Sequence, residues 1–367
     1  MITPNHSEKQ QDTTRRSYDN TLLLVALLLF ALTCYHLFFY GYQHDRHRMT
    51  LPADLLHAPP ELVAYQQTAV FTLPLTGTPV CFAVREDMLI IGADTPPALW
   101  FFDADGTLLR KIDLLEEPRA VVCGTAETIF SDKIVVAHPA SITVYTAEGQ
   151  LGTSWKLPGE ESNLRSLALT PDYLFAADTS KRSVHRFSEY GDLDLTFGDF
   201  TVYASPIVLT YSPQTGSLYI ANPGKHRVEV FTQNGEYQPE LSWGEPSTGY
   251  LGFAGCCNPI GLAVLDDGGI LTVEKAISRM KIFHNGGFDS IVAGPGILDS
   301  LPPGMMRQSP LTPDRYFAAA VLSEGRIAVF DFEYAAVRIF VLEYRRKTLN
   351  VDTPRTAVCP CRACQNE

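Results

Sequence analysis

The chain has 367 residues, with 29 Lys and Arg against 41 Asp and Glu, a net charge of −12 and 46% hydrophobic residues. With no basic cluster beyond Arg345, Arg346 and Lys347, it lacks the electrostatic footprint of nucleic-acid binding, which excludes nucleic acid as the main partner. The 26 Gly and 25 Pro suit turn-rich sheets, and the length beyond an apolar N-terminal stretch suffices for one large domain and not for two.

That apolar stretch, TLLLVALLLFALTCYHLFFY from Thr21 to Tyr40, carries no formal charge. At about 1.5 Å per residue it is long enough to cross a bilayer's hydrocarbon core as one helix. No small-residue cleavage site follows it. ALTC around Cys34 is a poor lipoprotein box because Thr33 stands where a small residue belongs, so the segment reads as an uncleaved transmembrane anchor. Lys9, Arg15 and Arg16 precede it and Arg46 and Arg48 follow, a narrow margin that places residues 1–20 in the cytoplasm and the main domain outside the inner membrane. Residues 41–63 read as a stalk, stiffened by His57 to Pro60.

From residue 64 to 347 the chain repeats itself. LFAADTSKRSVHRF, LYIANPGKHRVEVF, LTVEKAISRMKIF and IAVFDFEYAAVRIF each pair two short strands, and their polar markers Asp178, Asn222, Glu274 and Asp331 stand nine residues before Phe187, Phe231, Phe283 and Phe340. Two looser copies precede them, with markers Asp94 and His138, and the marker spacings are 44, 40, 44, 52 and 57. Such a period, with about four strands per unit, predicts the blades of an all-β, six-bladed β-propeller. The fifth unit shows four strands separated by DDGG and NGG turns, and its neighbours carry PQTG, QNG, AEG and DG at matching places. The sixth unit lacks a fourth strand, which AVFTLPL at Ala69 to Leu75 can supply to close the ring and leave no open edge.

At IANPGKHRVEVFTQNG and GRIAVFDFEYAAVRIF the chain resembles the NHL-repeat family of six-bladed propellers, over roughly Pro79 to Glu343. FAGCCNPIGLAVLDDGGILTVEKAISRMKIF is similar to a bacterial membrane-anchored subgroup with a GCCNP box followed by an EK and an R-x-K strand. This resemblance implies a fold and no particular reaction.

The longest connections run from Glu245 to Asn258, before the fifth unit, and from Pro295 to Arg315, before the sixth. In a propeller, connections leading into a blade and turns between its second and third strands emerge on one face. Cys256, Cys257, Asn258, Glu274, Lys275, Arg279, Met305, Met306 and Arg307 are therefore expected to surround one patch near the mouth of the central channel, a ligand or partner face. Three readings of that patch compete. The pair Cys256–Cys257 with Asn258 shapes a tight turn while Glu274 and Lys275 are solvated rim charges. Alternatively, the thiols, activated by Lys275 and Arg279, do redox chemistry or hold a soft or borderline metal ion, or the patch is a plain ligand pocket.

Cys81 and Cys123 read as small buried residues of inner strands. Cys359, Cys361 and Cys364 form a C-x-C-x-x-C tail within residues 348–367 that can wrap a soft metal if a fourth ligand is supplied, or form disulfides in an oxidising compartment. The NHL-bladed amidating lyases place several His on a central metal, whereas His138, His185, His226 and His284 fall at differing blade positions here. Lactonase-type propellers hold calcium with acidic and amide residues that Glu274, Asn222 and Asp331 imitate only loosely. The sequence thus favours a membrane-anchored binding module for an envelope protein or small ligand, one compatible with an envelope redox system. A metal- or thiol-dependent enzyme, lyase or lactonase-like, at the Cys256/Cys257 face is the alternative.

Overall fold

The computed structural model describes residues 25–35, 57–157, 161–203, 205–255, 257–275, 277–305 and 316–343. Residues 25–35 are helical. Among the described residues no helix is long and apolar enough to cross a membrane, and the rest of the 21–40 stretch, residues 1–20 and most of the 41–63 segment lie outside them.

The main body is six antiparallel sheets in a ring, each a run of strands consecutive in sequence apart from the N-terminal strand that joins the sixth. The first blade holds Pro79–Arg85, Met88–Ala93, Ala98–Phe102 and Leu108–Asp113; the second Ala120–Cys123, Lys133–Ala137, Ser141–Thr146 and Leu151–Lys156. The third holds Leu164–Leu169, Leu174–Asp178, Ser183–Phe187 and Leu193–Phe197, and the fifth Gly261–Val264, Ile270–Glu274, Arg279–His284 and Gly287–Ala293. First strands of successive blades pack against each other around the circle, including that of the sixth blade, Phe317–Val321, against the first. Second and third strands are buried along nearly their whole length because both faces of each blade are covered, which is why they read as continuous apolar runs; the outer, fourth strands of the first and third blades alternate between half-buried and exposed.

Ring closure follows the expected scheme with shifted limits. The closing strand runs Tyr65–Thr72, beginning four residues before Ala69, and pairs antiparallel with Ala336–Leu342, so the sixth sheet is completed by the N-terminal strand. Ala64 N–H also bonds Ile291 O of the fifth blade at 3.1 Å, and Glu343 N–H bonds Ala64 O at 2.9 Å.

The fourth blade corrects the expectation of four strands in every unit. It has only Val208–Ser212, Ser217–Asn222 and Arg227–Phe231. Beyond its turn the chain touches the edge at Tyr237, opposite Phe231, and at Trp243, opposite Val228, but Pro239 opens a short 3₁₀ turn between them. Proline has no N–H to donate and its fixed φ breaks the ladder. Ser242 repairs part of the loss by accepting the Val230 N–H on its Oγ at 2.9 Å.

The repeating markers have a common mechanical task. Each ends, or directly follows, the second strand of its blade, and four of them accept a backbone N–H from the segment leading into that blade's first strand. Asp94 binds Thr78 N–H at 3.1 Å, Asp178 binds Asn163 at 3.0 Å, Asn222 binds Thr201 at 3.1 Å and Glu274 binds Ala254 at 3.0 Å. Asp178, Asn222, Glu274 and Asp331 are wholly buried, so the first three pin their loops from inside the protein. Turn glycines provide contact between blades: Gly149 and Gly191 adopt φ of 92° and 86°, and a Cβ at Gly149 would lie 2.2 Å from Ile112 Cδ1 of the preceding blade.

Candidate functional site

Loops leading into first strands and turns between second and third strands share one face, here the front. Glu274 ends the second strand of the fifth blade, and Arg279, directly opposite it in register, begins the third. The two form a bidentate pair, Nε to Oε1 at 2.9 Å and Nη2 to Oε2 at 3.1 Å. Lys281, two residues along the same strand and so on the same side, brings Nζ within 3.0 Å of Oε1. Both cations then reach into the long front loop. Arg279 donates to Thr248 O at 3.1 Å and Gly249 O at 3.3 Å, while Lys281 donates to Tyr250 O at 3.1 Å and to Gly252 O. With Glu274 holding Ala254 N–H, one buried triad fixes five points of the loop between Thr248 and Ala254.

The electrostatics follow from burial. Desolvation alone would raise the Glu274 carboxyl, but Arg279 and Lys281 outweigh it and hold it below the ordinary carboxylate value. Burial pushes Lys281 down to about 7, with Glu274 opposing and Arg279 adding to the fall. Its three oxygen acceptors, and the Phe253 ring at 4.5 Å, are nonetheless the surroundings of an ammonium.

The patch expected from sequence is therefore only partly a surface. Glu274 and Lys275 are not solvated rim charges: they are 0% and 4% exposed. Arg279 is spent on Glu274 and on loop carbonyls, and Asn258 closes the turn, accepting Lys275 N–H at 2.8 Å and donating to Ala254 O and to Lys275 O. Cys257 is buried with φ of 65°, a conformation costly for a residue with a side chain, which fits a sharp turn. Met305 is exposed. Cys256, Met306, Arg307 and the tail residues Cys359, Cys361 and Cys364 lie outside the described residues; among those described, no three His, Cys, Asp or Glu side chains gather as metal ligands.

Four residues not singled out from the sequence stand at the front mouth of the channel. Arg119 immediately precedes the first strand of the second blade, and Arg165 is the second residue of the first strand of the third. Tyr316 immediately precedes the first strand of the sixth blade, opposite the third, and Lys275 places its Nζ 5.4 Å from the Tyr316 ring. The fourth, Glu117, bonds Arg119 Nη2 at 3.0 Å. Arg165 occupies a β-bulge, the position without a register partner between Leu164 and Ser166, where the first blade has Val80. Burial lowers its pKa and Arg119 adds to the effect, while Cys81, Tyr316 and Glu117 oppose it, so its guanidinium, on the third blade, feels residues of the first, second and sixth as well. The signal available in the sequence was a lone Arg inside the apolar strand LRSLAL, and nothing there marked the bulge.

No known protein family matches the sequence, and no curated protein does. Solved structures share the fold. A protein of unknown function from Bacteroides thetaiotaomicron VPI-5482 is 14% identical, with TM-score 0.54 over 76% of this chain and 72% of that one. A streptogramin B lyase gives 11% identity and TM-score 0.53 over 76% and 98%, and a virginiamycin B lyase from Staphylococcus aureus 10% and 0.52 over 76% and 99%. At these identities the likeness shows a shared β-propeller fold and carries no chemistry with it.

Proposed function

We propose that this propeller is an NHL-type binding module, held at the extracytoplasmic side of the inner membrane by residues 21–40, that engages an envelope protein or small ligand with its front face. The observation that carries this reading is the triad Glu274, Arg279 and Lys281, which spends buried charge on holding the loop between Thr248 and Ala254 in one conformation. A loop fixed before contact loses little entropy on binding, and that favours recognition. For the anchor, the support is the uncharged apolar run itself, together with the exposed apolar side chains Leu28 and Phe30 of its helical part.

Photo-crosslinking in intact cells tests the module. A crosslinking side chain at the exposed front-loop residue Leu251 is expected to give a discrete, saturable adduct, and one at Tyr190, exposed on a rear turn, is not. Adducts of equal yield from both, or none from Leu251, would overturn the assignment. Recovery of the full chain in alkali-washed membranes checks the anchor, and its appearance in the soluble fraction would refute it.

A further inference from the structure

The first-blade counterpart of Arg165 is an apolar Val, so nothing in the blade's own architecture calls for a guanidinium there. Arg165 is half buried, beside a second arginine, and among the described residues its guanidinium makes no hydrogen bond or ion pair. Arg119 satisfies Nη2 on Glu117, but its buried Nε has no hydrogen-bond partner among the described residues. Arg119 and Arg165 sit at the starts of neighbouring first strands, and both retain planar N–H donors shaped for an oxygen pair. A protein of net charge −12 has carboxylates to spare elsewhere, yet among the described residues Arg119 and Arg165 stand here with Glu117, one carboxylate for two guanidinium groups.

We infer that the front mouth of the channel is a carboxylate-binding site in which Arg165 and Arg119 receive the ligand's anionic group, and Tyr316, with Lys275 over its ring, forms the opposite wall. This rests on the binding-module reading and specifies the chemistry of its ligand. Two guanidinium groups against one carboxylate suit a small anionic group, and a planar carboxylate matches the guanidinium fork. Glu117 opposes a more highly charged group. The carboxylate has two sources, a free organic acid or an acidic side chain of a partner protein.

Calorimetry on the full chain in detergent separates them, using succinate as the free acid and a capped peptide with a single Glu as the protein-borne source, with inorganic phosphate as the comparison anion. One of the two carboxylate probes is expected to bind, to weaken as salt is raised, and to lose at least tenfold in affinity in Arg165→Met, with Arg119→Met reproducing the loss. Arg165→Met is expected to melt at the same temperature as the parent or higher, because it removes a partly buried cation with no hydrogen-bond partner among the described residues. Unchanged binding in Arg165→Met, preferential binding of phosphate, or a melting temperature several degrees lower, which would make Arg165 structural, overturns the inference. If neither carboxylate binds while the Leu251 adduct persists, the carboxylate assignment fails and the module stands; if the adduct is absent and succinate binding still depends on Arg165, the module's macromolecular partner fails instead.

Discussion

The buried triad makes an unusual demand on stability that can be tested by sign. Glu274 carries one negative charge against two positive ones, all within the protein, and both cations touch the same Oε1, so they lie within about 6 Å of each other. Replacing Glu274 by Gln keeps an oxygen for Ala254 N–H but leaves Arg279 and Lys281 facing each other. Their repulsion is about 3 kcal/mol at an effective dielectric of about 20, and breaking a buried pair by removing one partner costs ~3–5 kcal/mol. Lys281→Met, by contrast, leaves the neutral bidentate pair intact and sets an apolar chain against Phe253 and Phe283; its cost is the loss of donors to Tyr250 O and Gly252 O, about 1–2 kcal/mol. For a domain of this size 1 kcal/mol corresponds to roughly 2 °C. At pH 6, below the value of about 7 that Lys281 has in the parent, Glu274→Gln should lower the melting temperature by roughly 6–10 °C and Lys281→Met by roughly 2–4 °C. The decisive measurement is the double variant. Added to Glu274→Gln, the Lys281→Met change removes one of two repelling cations and should be neutral or stabilising. Scanning calorimetry of the four proteins gives the cycle, and additive losses, or a larger loss for Lys281→Met alone, would refute the charge accounting.

Two further outcomes follow from the fold. Burial would raise the Asp178 carboxyl, but the His185 ring 3.6 Å away and hydrogen bonds from the Asn163 and Lys181 backbone N–H groups pull it down to about 2, so its contribution is complete above the unfolded value near 4 and is lost as pH falls toward 2; Asp178→Asn should flatten that acid limb of the stability profile, and an unchanged limb would count against it. A chain beginning at Thr76 lacks the strand Tyr65–Thr72 and leaves Ala336–Leu342 as an open edge, so it should aggregate or melt far earlier than one beginning at Ala64, and equal melting would show that the sixth blade is complete without its N-terminal strand.

Recognition of the ring in the sequence rests on the markers and on Gly-containing turns, which are local. A polar residue ending an apolar strand, nine residues before a Phe in four copies, is set by strand length and turn length alone, and these four with two looser copies at blade spacing leave a propeller as the arrangement that buries every face. The closing strand was legible for the same reason, because a sixth unit short of one strand must find it elsewhere. Its true start at Tyr65 was not, since Tyr65 to Thr68 carry a bulge and two Gln that break the apolar pattern. Pro239 was visible in the sequence, but its effect on the fourth blade depended on where the ladder placed it.

The site divides differently. Sequence position alone put Asn258, Glu274, Lys275 and Arg279 at one face of one blade, because loops and turns alternate between faces with strand direction. Whether those charges met water or each other depended on how the loop from Thr248 to Ala254 folded back over them, and only the tertiary structure shows that its carbonyls satisfy Arg279 and Lys281. The gathering of Arg119, Arg165, Lys275 and Tyr316 lay further out of reach, since they come from four blades and are separated by as much as roughly two hundred residues of chain. Periodicity specifies which residues end a strand; ring closure, a long-range property of all six sheets together, decides which strand ends face each other across the channel.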